Sequence, residues 1–141
     1  MGSIRPPPQD WASRAAPSLD DFEAMADAAF RRLPSRFRNA CVGLVIRVED
    51  FPDEDVLEEF EAASEFDLLG LFRGQGLAQA EGVQTGQFPN MVHLFRRPIL
   101  DVWAEGDDTL GDPIRHVLVH EIGHHFGLSD ADMDRIEQEA E

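Results

Sequence analysis

The chain has 141 residues, which is long enough for one domain with a hydrophobic core and too short for two domains of ordinary size. Its hydrophobic fraction of 43% and its ten phenylalanines exclude a wholly disordered protein. The longest apolar runs, such as residues 41–46, are far shorter than a bilayer span, so we expect no membrane partner. The formal net charge of −16 argues against a nucleic-acid partner, because phosphates would be repelled over much of the surface.

Residues 1–17 predict a flexible N-terminal tail ahead of one folded domain, residues 18–141. The consecutive prolines at positions 6–8 lie where a signal peptide would need an unbroken apolar stretch, which favours a cytoplasmic protein. The single cysteine, Cys41, allows no internal disulfide and cannot make a thiolate metal site alone. Because Cys41 lies in an apolar run, we interpret it as a small core residue.

The next part of the chain predicts a helix, a strand and a second helix. Ser18 or Asp20 can cap a first helix with apolar residues at helical spacing, and Pro34 ends it. The apolar, β-branched run over residues 40–48 indicates a buried strand. Asp53 then opens an acidic, amphipathic helix whose expected role is packing.

The middle of the chain is less regular. Glycines interrupt the apolar pattern over residues 66–89, and a long segment of this kind is often functional or mobile. No spacing there matches a phosphate-binding fingerprint. Residues 90–96 alternate as a second strand, and a short helix is expected around residues 99–104.

The last third predicts two helices. Asp112 has the character of an N-cap, with Pro113 at the first helical position. Gly127 is well placed to stop this helix in a left-handed conformation. A final acidic helix is expected over residues 129–139.

The first of these two helices contains a stretch of residues that indicates a specific chemistry. His120 and His124 are four residues apart, so on a helix they share a face and can bind one metal, while Glu121 lies beside them to move a proton. Catalytic zinc usually takes three protein ligands and one water. The turn at Gly127 could return Asp130 to the metal as the third ligand. These residues predict a zinc hydrolase in which Glu121 is the general base.

Other interpretations of the same residues stay open. Asp130 also lies at the start of the last helix, where a carboxylate favours the helix dipole without any metal. Glu137, further along that helix, is the next candidate for the third ligand. The motif could instead be scattered surface histidines. However, the apolar residues 117–119 would bury the helix, and a buried His-Glu-His face is costly without a metal.

Three further histidines have simpler interpretations than metal binding. His125 points to a different face from His124 and is typical of a packed or hydrogen-bonding histidine. His116 could line the cleft one turn before His120, although an ordinary helix histidine is the simpler interpretation. His93, within the strand, is interpreted as structural or substrate-facing.

The stretch from His120 to Met133 closely resembles the signature of a family of small bacterial zincin-like proteins, often called minimal metallopeptidases. The resemblance is strongest over residues 113–134, and a weaker similarity extends over residues 66–72 and 92–98. The sequence differs from those of the metzincins, which place a methionine turn well downstream of the third ligand. Met133 lies too close to Asp130 for that turn in its usual form.

The resemblance implies a compact, single-domain α+β zincin-like fold, with a small mixed sheet packed on an active-site helix and flanking helices. It also implies a Zn²⁺ site of His120, His124 and Asp130, with Glu121 catalytic. In zincins an edge strand of the sheet pairs with an extended substrate, and residues 90–96 are the candidate strand.

The sequence therefore predicts a zinc metallopeptidase that hydrolyses a peptide or protein substrate with zinc-bound water activated by Glu121. The alternative is a zincin-derived binding or regulatory module with a structural or absent metal. The missing methionine turn, the acidity and the short chain favour that alternative. An acidic inhibitor or nucleic-acid mimic is suggested by the net charge alone. The substrate's identity and the oligomeric state are left open.

Overall fold

The computed structural model describes residues 9–74 and 90–140. Their helices and strands, in chain order, are α1 (Gln9–Ala12), α2 (Leu19–Arg31), α3 (Ser35–Asn39), β1 (Val45–Glu49), α4 (Glu54–Glu59), β2 (Gly70–Arg73), β3 (Met91–Phe95), α5 (Arg96–Glu105), α6 (Gly111–His125) and α7 (Asp130–Glu139). Residues 1–8 of the predicted tail and residues 75–89 of the glycine-rich segment lie outside the described residues. None of the helices in the described part of the chain is long and apolar enough to cross a membrane.

The three strands form one mixed sheet in the order β1-β3-β2. Strand β1 pairs with β3 in parallel, with Val45 opposite Met91, and β2 pairs with β3 antiparallel, with Gly70 opposite Leu94. The predicted α+β fold with a small mixed sheet is confirmed. The expectation that residues 90–96 form an edge strand is wrong, because β3 lies between the other two strands and pairs along both of its sides.

Burial of both faces of the sheet explains its apolar sequence. The main core lies between one face and helices α2 and α6, and it contains Val92 and Leu94, which have no exposed surface. A smaller cluster on the other face joins Leu71 and Phe95 to Val56 of α4. Alternate residues of β3 therefore enter different apolar clusters, as the alternation of side chains along a strand requires.

Helix α2 begins as the capping pattern predicts. Ser18 is the N-cap, its side chain accepts a hydrogen bond from the Asp21 amide, and the Asp21 carboxylate accepts one from the Ser18 amide. This reciprocal capping box satisfies two backbone donors at the end of the helix. Phe22 and Ala26 face inwards and are fully buried.

The strand predicted over residues 40–48 is shorter than expected. It starts at Val45, because the chain first forms helix α3 and then a turn in which Gly43 has φ of +80°. Cys41 lies in this turn and is buried, as expected of a core residue, and its thiol donates to the Phe37 carbonyl oxygen at 3.3 Å. Burial raises the pKa of the Cys41 thiol to about 11.

Helix α6 runs through the centre of the domain. Four of its residues have no exposed surface: Ile114, Leu118, Val119 and Ile122. It packs against α2, α5, α7 and strands β2 and β3. The predicted N-cap at Asp112 is wrong by two positions, since the helix begins at Gly111 after Leu110. The Asp112 amide already donates to the Thr109 carbonyl at 3.0 Å, so Asp112 lies inside the first turn.

Candidate metal centre

The C-terminal end of α6 carries the two histidines of the motif on consecutive turns. The ring centroids of His120 and His124 are 5.8 Å apart and their planes are inclined by 84°. The helix stops as predicted just before Gly127, whose φ of +77° is the left-handed conformation that favours glycine. The Gly127 amide donates to the His124 carbonyl at 3.0 Å, and the next amide, of Leu128, donates to the Gly123 carbonyl at 2.9 Å.

This turn leads directly into α7, of which Asp130 is the first residue. Ser129 is the N-cap and forms a capping box with Asp132, so the start of α7 is fixed by two hydrogen bonds. One donor atom from each of His120, His124 and Asp130 lies within 4.8 Å of the others. The three residues named by the sequence motif are thus brought together at one point.

The protonation and bonding of His120 fit a metal ligand. Its Nε2 atom is buried and has no hydrogen-bond partner among the described residues. Burial lowers the pKa of His120, the neighbouring His116 lowers it further, and Glu137 opposes part of the shift. A neutral imidazole with an unsatisfied buried nitrogen is the form that binds a metal. Two imidazoles and a carboxylate also match the donor types that zinc takes in hydrolases.

The side chain of Glu121 lies on the side of α6 that approaches the edge strand β2. Burial raises the pKa of the Glu121 carboxyl above its ordinary value, and the nearby His124 opposes part of this shift. The side chain approaches β2 closely, since a Cβ atom added to Gly70 would be 3.5 Å from Glu121 Cγ. A carboxylate whose pKa is raised towards neutrality is suited to accept a proton and return it.

Helix α7 docks on α6 through a contact that no sequence motif predicts. Met133 is fully buried and packs against Gly123, where an added Cβ would lie 2.8 Å from Met133 Cγ. The only signal in the sequence is a glycine within a buried helix, which indicates a close approach. This contact brings two carboxylates of α7, those of Asp130 and Glu137, to the histidine face of α6.

Glu137 does not join the histidine pair of the motif as the sequence alternative would require. Its Oε2 atom accepts a hydrogen bond from His116 Nδ1 at 2.9 Å and lies 3.4 Å from His120 Nε2. The second distance is within ion-pair range, but the pair does not meet the geometry of a hydrogen bond. Glu137 therefore groups with His116 and His120, whereas Asp130 groups with His120 and His124.

The two remaining histidines have other partners. His93 Nδ1 lies 2.8 Å from Glu49 Oε1 on the neighbouring strand. His125 stacks on Phe72 of β2, with ring centroids 4.0 Å apart and an interplanar angle of 22°. The stacking of His125 agrees with its interpretation as a packed or hydrogen-bonding histidine, and the contact of His93 with Glu49 agrees with a structural role.

Comparison with known proteins extends these observations. The family model described as zincin-like metallopeptidase matches residues 41–140. The chain is similar to a solved structure of a conserved hypothetical protein from T. thermophilus, with 19% identity and a TM-score of 0.53. That match covers 84% of this chain and 99% of the other, and at this identity it shows the fold alone. No curated protein matches the sequence.

Proposed function

Because the chain belongs to the zincin-like metallopeptidase family, we propose that it is a zinc-dependent peptidase that hydrolyses peptide bonds. One observation carries the proposal: donor atoms of His120, His124 and Asp130 lie within 4.8 Å of one another, at the end of a helix on which Glu121 stands beside them. In this proposal the three residues hold the zinc and Glu121 is the general base.

When bound, zinc supplies a Lewis acid that lowers the pKa of a water and polarises a carbonyl. The protein's own contribution to proton transfer is Glu121. Its carboxylate accepts a proton from the attacking water and delivers it to the nitrogen of the leaving amine. The raised pKa of Glu121 supports the first of these two transfers, because a carboxylate with a higher pKa is a stronger base than an ordinary glutamate.

The substrate class we propose is an extended peptide or protein segment. Within the described sheet, β2 is the edge strand next to α6, and it takes the role that the sequence assigned to β3. A peptide that adds to this edge would bond to the main chain of β2. Gly70 at the start of β2 has no side chain to separate such a peptide from Glu121.

Metal content tests the proposal first. Purified protein supplied with zinc is expected to hold about one zinc per chain and to cleave members of a peptide library, and a chelator should remove both properties. The His125→Ala variant is a matched control for metal content, because it removes an exposed histidine of the same helix outside both groups of metal donors. A chain that binds no metal after zinc is supplied would contradict the proposal. Zinc binding without cleavage would favour the alternative binding or regulatory module.

The capping serine of α7 provides a second test. The Ser129→Ala variant is expected to lose about 0.5–2 kcal/mol of unfolding free energy, because the capping hydrogen bond is removed. Its zinc affinity should fall by about 10-fold, since Asp130 is the first residue of the helix that loses its cap. Chemical denaturation and zinc titration measure the two effects.

The matched control is Ser18→Ala, which removes the same type of capping box from α2. It should show a similar loss of stability with unchanged zinc affinity. Equal zinc affinities in the two variants would contradict a role for the α7 cap in holding Asp130.

A further inference from the structure

Helix α6 carries three histidines at successive turns, and only two of them belong to the motif. His116, His120 and His124 are spaced by four residues, so each neighbouring pair can chelate one ion. The rings of His116 and His120 are the closer pair, with centroids 3.9 Å apart and planes inclined by 35°.

A carboxylate from α7 completes a group of three around this pair. Glu137 Oε2 is 2.9 Å from His116 Nδ1 and 3.4 Å from His120 Nε2. The Glu137 side chain is only 15% exposed, and its other oxygen, Oε1, is 3.5 Å from Arg115 Nε. A largely buried carboxylate that has one oxygen within ion-pair distance of a guanidinium and the other directed at two imidazoles is preorganised as a ligand.

Two of the three residues are also accessible from solvent. His116 and Glu137 line a cavity of about 400 Å³, together with Arg115 and Trp103. This cavity could admit an ion and leave space for its water ligands.

We propose that His116, His120 and Glu137 form a second site for a divalent transition-metal ion such as zinc, and that this site and the predicted catalytic site exclude one another. Both groups of donors need His120. An imidazole that bridges two ions must give up both of its ring protons, so one ion at a time is expected. An ion at the second site binds the histidine pair that lies one turn nearer the start of α6 than the pair of the motif. Because it occupies His120, that residue can no longer act as a ligand at the site beside Glu121.

A simpler role for Glu137 is a hydrogen bond to His116 and nothing more. That role leaves the buried Nε2 of His120 unsatisfied, although a Glu137 oxygen lies only 3.4 Å away. An unsatisfied buried nitrogen has a free-energy cost in a protein interior, because its lost hydrogen bonds to water are not replaced. A metal ion on His120 removes this cost in either group of donors, and the hydrogen bond to His116 alone does not. An ion in the second group also uses the Glu137 oxygen that lies 3.4 Å from His120 Nε2.

Zinc binding to variants of the full chain tests the inference, with competition against a chromophoric chelator as the measurement. The wild-type chain and the His124→Ala, Asp130→Ala double variant are each expected to bind about one zinc. In that double variant, a further His116→Ala change should weaken zinc binding by more than about 10-fold. A further His125→Ala change is the control and should have no effect.

Two results would overturn the proposal. If the double variant bound zinc no more tightly than His120→Ala, the second site would not exist. If the wild-type chain bound two zinc ions independently, the sites would not exclude one another. His124 and Asp130 are exposed, so their replacement should leave the fold intact, which circular dichroism can check. The His124→Gln, Asp130→Asn pair serves the same purpose if the alanine variants unfold. Because the readout is metal binding, the outcome does not depend on whether the protein cleaves peptides.

Discussion

Replacing Glu121 by glutamine is expected to reduce peptide hydrolysis by about 10²–10⁴-fold while zinc remains bound. Glutamine has nearly the same shape as glutamate but cannot accept a proton from water at neutral pH. The position between α6 and Gly70 of β2 should accommodate the amide, since the side chain is only partly buried. Zinc content by metal analysis and cleavage of a peptide library, measured on the same sample, separate metal binding from proton transfer.

The matched control for this change is Glu105→Gln at the exposed end of α5. It removes the same charge from the same acidic surface, so it should leave hydrolysis unchanged. If Glu121→Gln lost its zinc, Glu121 would be a ligand and not the base. If it kept full activity, another group would have to transfer the proton, and the assignment of Glu121 would be wrong.

The parts of the structure that the sequence predicts best depend on contacts between near neighbours. Ser18 caps α2 through a hydrogen bond to the amide three residues later, and Gly127 ends α6 because its φ is positive. Both are signals within one turn of chain. The apolar periodicity of α6 likewise predicts a buried helix. The predicted meeting of His120, His124 and Asp130 needed only this helix, its stop and the start of the next helix.

What the sequence could not predict depends on pairing and packing between distant segments. Nothing in the alternation of residues 90–96 distinguishes a central strand from an edge strand, because strand order is set by the partners. Strand β2 has four residues and begins with a glycine, so it carries too short a pattern to recognise. The approach of Glu137 to His116 follows from the docking of α7 on α6 at Gly123. The glycine indicates a close approach but not which segment makes it.

Gly70 links this tertiary packing to the proposed chemistry, and its replacement by alanine is expected to lower the free energy of unfolding by about 1–3 kcal/mol. A Cβ atom there would lie 2.7 Å from Val117 Cγ1 and 2.8 Å from the His93 carbonyl oxygen. The carbonyl belongs to the backbone of the central strand and cannot rotate away, so β2 must move relative to α6 or β3. Urea denaturation measures the loss.

The same variant should also cleave peptides more slowly, since the displaced strand is the one that lies close to Glu121 and that we propose binds the substrate. Its zinc content should not change, because none of the proposed zinc ligands lies on β2. Gly111→Ala is the control: an added Cβ there meets nothing within 4 Å, at the first position of α6. Alanine favours helix over glycine by up to about 1 kcal/mol, so this variant should be as stable as the wild type or slightly more stable. If Gly70→Ala matched Gly111→Ala in stability and activity, the close approach of β2 to α6 would not be needed to form the site.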